Sequence, residues 1–119
     1  MKTYEKLKVY EKSYELARDM YVITKKLPNE EKYGLISQIR RAATSIPLNI
    51  AEGYGKMSGS RETARFLQMA RGSCAEMEVL VNFIKDFGYI TEEEHIGIYQ
   101  RYDEVGKMLT GLIKTITGN

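Results

Sequence analysis

An all-α fold, an antiparallel up-down-up-down four-helix bundle occupying residues 1–119 as one domain, follows from three observations. Four stretches carry apolar residues at alternating spacings of three and four. Pro28, the Gly/Ser-rich run over 53–60 and the break at Gly88 separate them, and no stretch alternates with the period of two that a strand needs. A chain of 119 residues can also bury a sufficient core without disulfide or metal staples.

The first helix is predicted over about residues 4–27. Leu7, Tyr10, Tyr14, Ala17, Tyr21 and Thr24 form one seam, and Val9, Leu16, Met20, Ile23 and Leu27 a second, about 115° around the helix. Lys8, Glu11, Lys12, Glu15, Arg18 and Lys26 are left for water. Pro28 ends this helix, and Asn29 is placed to cap the second, with Glu30 and Glu31 favouring its positive N-terminal dipole.

The second helix, LISQIRRAATSIPLNIAEG over 35–53, has almost no face left for solvent. Leu35, Ile39, Ala42, Ile46 and Ile50 make an apolar stripe; Gln38, Arg41, Ser45, Asn49 and Glu52 make a polar one beside it; Ser37, Thr44, Leu48 and Ala51 leave the remainder uncharged. Pro47 removes a backbone donor and crowds the preceding turn, but the apolar phase continues past it, which predicts a kink and not a break. Helices needing cover on two sides in so short a chain predict a homo-oligomer or a partner-binding protein.

The third helix is predicted over about residues 61–87 with Ser60 as its cap and Phe66, Ala70, Ser73, Met77, Leu80, Ile84 and Phe87 as a heptad seam. Its small run from Gly72 to Ala75 allows close approach of a neighbouring helix, and Gly88 is free to take the left-handed conformation that stops it. Thr91 and Glu94 form a capping box opening the fourth helix, which carries Ile98, Tyr102, Val105, Leu109, Leu112 and Ile116 and ends at Gly118. Met77, Leu80, Leu109 and Leu112 are predicted in the core. Four helices of roughly 23 to 27 residues, each about 35 to 40 Å long, joined by short connections, predict antiparallel neighbours.

The charge is weakly informative. The net charge is +2, with ten Lys and Arg against six Asp and Glu over residues 1–50 (10 − 6 = +4) and eight against ten over 51–119 (8 − 10 = −2). A basic half permits nucleic-acid contact without the dense patch of a strong non-specific binder. The charged N-terminal stretch lacks the apolar core of a signal peptide, no run approaches a membrane span, and a lone Cys74 forms no internal disulfide, so a cytoplasmic protein is expected.

Little in the sequence points to catalysis. Glu92 and His95 stand at di-iron spacing, but His95 is the only histidine and such a centre needs a second Glu-x-x-His. No metal and no cofactor are expected, and no catalytic residue is assigned. The run over 53–60 lacks the Gly-Lys-Ser/Thr ending of a P-loop; Lys56, Arg61 and Arg65 beside it are better placed to meet a nucleic-acid backbone, the alternative being an ordinary solvated loop. The stripe Gln38, Arg41, Ser45, Asn49, Glu52 reads either as a seam between subunits or as a ligand surface. The nine tyrosines fall mostly in phase with the seams, favouring packing over base stacking.

LISQIRRAATSIPLNIAEGYGKMS, then FLQMARGSCAEMEVLV and the break at Phe87-Gly88-Tyr89-Ile90, resemble the four-helix-bundle family of bacterial proteins encoded in intervening sequences of 23S ribosomal RNA genes. The likeness spans about residues 7–116. The family is in turn similar to the accessory variability protein of diversity-generating retroelements. The resemblance implies a barrel-like homopentamer without enzymatic activity that binds structured RNA or DNA, or a nucleic-acid-processing partner, through basic surface. Candidate nucleic-acid contacts are Lys56, Arg61, Arg65, Lys8 and Lys12; the alternative is an oligomeric scaffold that recognises protein and touches no nucleic acid.

Overall fold

The computed structural model describes residues 2–55 and 59–118. Four helices account for most of them: α1 (Lys8–Thr24), α2 (Leu35–Gly55), α3 (Ser60–Asp86) and α4 (Glu92–Thr117), with short 3-10 turns at Thr3–Lys6 and Asn29–Glu31. The alternation is visible in the side-chain pairings. From α1 and the turn after it to α4, Lys12 meets Glu104, Asp19 meets Arg101 and Lys26 meets Glu94, so partner numbers fall on one side as they rise on the other. The pairs Arg41–Glu76 and Ser45–Ser73 align α2 with α3 in the same antiparallel sense, as do Arg71–Thr110 and Asn82–His95 for α3 and α4. The bundle measures 43 × 22 × 22 Å, with α1 and α3 on one diagonal.

Several ends differ from the sequence expectation, each for a local reason. α1 starts at Lys8 and not near residue 4, because Leu7 is extended (φ −75°, ψ 130°) after a 3-10 turn held by the Lys2 N–H donating to Glu5 Oε1 at 2.7 Å. It stops at Thr24, and Pro28 disfavours helical backbone in the residue before it. Asn29 caps nothing: it lies in the second 3-10 turn with Glu30 and Glu31, and α2 begins only at Leu35. The helices are therefore unequal, at 17, 21, 27 and 26 residues. Ser60 is the first residue of α3, not its cap; Gly59 holds that position without a side-chain bond.

Elsewhere the expected chemistry is present. α2 continues through Pro47. Gly88 takes φ +80° and the Tyr89 N–H donates to the Ile84 carbonyl at 2.8 Å while the Gly88 N–H donates to Lys85, the paired bonds that close a helix on a left-handed glycine. At the start of α4 the Glu94 N–H donates to Thr91 Oγ1 at 3.0 Å and the Thr91 N–H to Glu94 Oε1 at 2.9 Å.

One core runs the length of the bundle, with Leu16, Met20, Ile39, Ile46, Ile50, Leu67, Met77, Ile84, Tyr102 and Leu109 fully buried. Met77, Leu80 and Leu109 are buried as the heptads predict. Leu112 is only half-buried and Ile113 is buried in its place: α1 begins at Lys8, so this end of α4 has only Leu7 and the first turn of α1 beside it. Phe87 also leaves the predicted seam. It stands past the last helical residue, 56% exposed, and stacks on Phe83 with ring centroids 5.9 Å apart.

Candidate functional site

The polar stripe of α2 faces α3. Arg41 Nη2 lies 2.8 Å from Glu76 Oε2, the Ser45 and Ser73 hydroxyls are 2.6 Å apart, and Asn49 Nδ2 donates to the Ser45 carbonyl at 2.8 Å. Gln38 and Glu52 extend the stripe at its two ends, both exposed. Arg41, Ser45 and Asn49 thus have partners inside the chain, and Arg41 and Ser45 use theirs to join α2 to α3. The seam closes tightly toward the 53–63 end, where Thr63 Oγ1 donates to the Gly53 carbonyl at 2.9 Å.

The predicted basic residues are separated by their partners. Lys12 binds Glu104 at 3.2 Å; Arg65 binds Glu62 at 2.6 Å with its guanidinium 4.6 Å from the centroid of Phe66. Lys8 and Arg61 are exposed and make no ion pair among the described residues. Lys56 lies outside the described residues. The antiparallel topology brings the starts of α1 and α3 and the end of α4 to one end of the bundle, which gathers Lys6, Lys8, Arg61 and Lys114 there. Lys8 and Arg61 share that end but not a face, because α1 and α3 are diagonal. Sequence reasoning missed Lys6 and Lys114; applying the antiparallel register to the helix termini would have found them. The opposite end carries Glu30, Glu31, Asp86, Glu92, Glu93 and Glu94 against Lys25, Lys26, Lys32 and Lys85, so it is the more acidic of the two.

A groove of about 600 Å³ opens between α1 and α2, lined by Tyr4, Tyr10, Tyr14, Ala17, Arg18 and Tyr21 on one side and Thr44, Pro47, Leu48 and Ala51 on the other. It is the outer of the two seams read on the first helix: the inner one is buried through Val9, Leu16, Met20 and Leu27, whereas Tyr14 and Leu48 are 48% and 65% exposed. Tyr4 and Tyr10 meet edge to face at 5.1 Å, and Tyr10 and Tyr14 follow at 5.9 Å. Arg40 pins the far end, its guanidinium 4.5 Å from the Tyr21 ring and its Nε donating to Thr24 Oγ1 at 2.9 Å. Burial, then the neighbouring Tyr4 and Glu5, raise the pKa of the Tyr10 hydroxyl.

The reactive side chains stand apart. Cys74 is buried and its thiol is pushed up to about 12, by burial first and then by Glu78. His95 Nε2 lies 2.7 Å from Asn82 Oδ1, on the α3–α4 surface. Among the described residues no three His, Cys, Asp or Glu side chains are grouped to hold a metal, and no helix is long and apolar enough to cross a membrane.

No curated protein matches the chain. It is similar to a solved structure from Bacteroides thetaiotaomicron, a protein of unknown function from the S23 ribosomal protein family, at 32% identity and a TM-score of 0.81, over 89% of this chain and 95% of that one. The family model described as 23S rRNA-intervening sequence protein matches residues 5–111. With that match spanning nearly all four helices, the chain belongs to the 23S rRNA-intervening sequence protein family.

Proposed function

We propose that this chain is a non-enzymatic, cytoplasmic accessory protein that assembles with copies of itself, as a pentamer by family resemblance, and binds structured RNA or DNA through the basic end of its bundle. The observation that carries the nucleic-acid reading is the gathering of Lys6, Lys8, Arg61 and Lys114 at one end, without ion pairs among the described residues. Lys56, Arg65 and Lys12 extend this set by sequence position, Arg65 and Lys12 sharing their charge with carboxylates. Scattered lysines and arginines without a groove-reading motif imply electrostatic, weakly sequence-selective binding. Repetition around an oligomer would convert a weak site into avidity on a long ligand. A role beside a nucleic-acid-processing enzyme, as the likeness to the accessory variability protein implies, would use the same surface.

The test is fluorescence anisotropy with a labelled structured RNA over a salt series. Wild type should bind at low salt, and replacing Lys6, Lys8 and Lys114 together by Ala should weaken binding and flatten its salt dependence. A wild type that binds neither RNA nor DNA at low salt overturns the reading and leaves the protein-recognition scaffold, which the exposed tyrosine groove favours.

A further inference from the structure

We propose that the tyrosine-lined groove between α1 and α2 receives the outer face of α3 from a second copy of this chain, joining copies head to tail. This rests on the self-assembly part of the reading above and goes beyond it by naming both faces. The groove is concave, with Pro47 and Ala51 on one side, Tyr10, Tyr14 and Tyr21 on the other, and Leu48 exposed beside it. Two grooves placed mouth to mouth would leave their space empty, so a two-fold contact cannot fill it. Its complement must be convex and largely apolar.

α3 presents such a face. Gln68, Met69, Gly72, Ala75 and Val79 are all exposed, and the charges beside them are already paired: Glu76 with Arg41, and Arg65, whose Nη1 lies 3.9 Å from Met69 Sδ, with Glu62. Gly72 is the informative residue. A Cβ built there meets nothing within 4 Å, so the chain's own packing does not require a glycine in the middle of a 27-residue helix, where glycine is less favourable than alanine. Close approach by something outside the chain would account for it. Gly97 and Gly111 on α4 are equally open, but Glu93, Glu94 and Arg101 surround the first and Lys107 and Lys114 the second.

Height and charge agree with this pairing. Ser45 of α2 meets Ser73 of α3, so Gly72 stands level with Thr44 and Pro47, which line the groove. Copies side by side in one orientation therefore bring Gly72 against the neighbour's Pro47 without a slide along the axis. Arg61, at the end of this α3 face, has no ion pair among the described residues; Glu11 and Glu15, exposed on α1 beside the groove, have none either, and both sets lie toward the same end of the bundle. A groove-to-ridge contact repeated in one sense closes a ring when its rotation closes.

The experiment is light scattering on the full chain and on Leu48→Glu and Gly72→Glu, with circular dichroism confirming helicity. Both substitutions fall on open surface, so each variant should fold. Wild type should be a closed oligomer and each variant alone a monomer, whereas the two variants mixed at high concentration should form a two-chain species, because one intact groove then meets one intact α3 face. An oligomer that survives either substitution overturns this pairing and leaves self-assembly standing; a mixture that stays monomeric also overturns it. A monomeric wild type overturns both.

Discussion

The two flanks of α2 are built from different residues and behave as different surfaces. Toward α3 it carries Arg41, Ser45, Asn49 and Gly53, and the two backbones close until a Cβ at Gly53 would lie 3.1 Å from Phe66 Cβ and 3.3 Å from the Thr63 carbonyl oxygen. Toward α1 it carries Thr44, Pro47, Leu48 and Ala51 against a row of tyrosines, and the helices leave an open groove. Small and hydroxyl-bearing side chains let a seam shut and satisfy itself inside one chain. Bulky aromatic rings opposite short side chains hold it apart and leave apolar surface uncovered. The difference predicts intolerance on one flank and tolerance on the other.

The largest effect should come from the core next to the closed seam. Leu80→Ala, on α3, removes a buried side chain and should cost about 2 to 5 kcal/mol by urea denaturation. A cost below about 1 kcal/mol would mean that this part of the bundle is loosely packed, against the comparison.

Gly53→Ala tests the seam itself. The added methyl meets α3 main-chain oxygen and Cβ, neither of which is the free end of a side chain, so overpacking of about 1 to 3 kcal/mol should outweigh the helix-propensity gain of about 1 kcal/mol. A raised melting temperature would show that the two backbones can part at little cost.

Thr91→Ala, at a helix start on neither flank, calibrates what a purely local bond is worth. Losing the Thr91 side of the capping box should cost about 0.5 to 2 kcal/mol. Glu94 adds a pH signature. The Thr91 backbone N–H, with further help from the Thr91 side chain and Lys26, holds its carboxyl below the ordinary 4.5. Its contribution is thus fully present above pH 4.5 and is lost as pH falls through the lowered value, so the stability gap between wild type and Glu94→Gln should narrow in acid. A gap that stays constant down to pH 2 would contradict the box as drawn.

The smallest effect should be on the open flank. Leu48→Ser, at a side chain 65% exposed, should change the stability of the monomer by no more than about 0.5 kcal/mol in thermal melts. A larger loss at high protein concentration, absent on dilution, would show that this flank is covered by a neighbour.

Local chemistry was readable from the sequence wherever a few adjacent residues decide the outcome. Thr91 with Glu94, Gly88 after the third helix, and the seam from Phe66 to Ile84 needed nothing beyond their own spacing. The start of α1 and the failed cap at Asn29 were not readable, because Tyr4 and Glu30 are acceptable in either a helix or a 3-10 turn and the choice follows from Leu7 being extended and from Pro28. The candidate surface was half legible. Lys8 and Arg61 announced themselves by type, but that Lys12 is neutralised by Glu104 while Lys114 joins the basic end depends on how α4 returns along α1. The two apolar seams of the first helix were visible; which would be buried and which would become a groove depended on α2.

Cys74, under the α3–α4 contact where a Cβ added at Gly106 would lie 4.0 Å from its own Cβ, is the chain's only thiol. Burial pushes its thiol up to about 12 and shields it, so it stays protonated at neutral pH and is a poor target for ordinary maleimide coupling. A cysteine introduced on the surface would therefore be the sole site to take a fluorophore or spin label, and distances within or between chains could be measured without first removing the native sulfur.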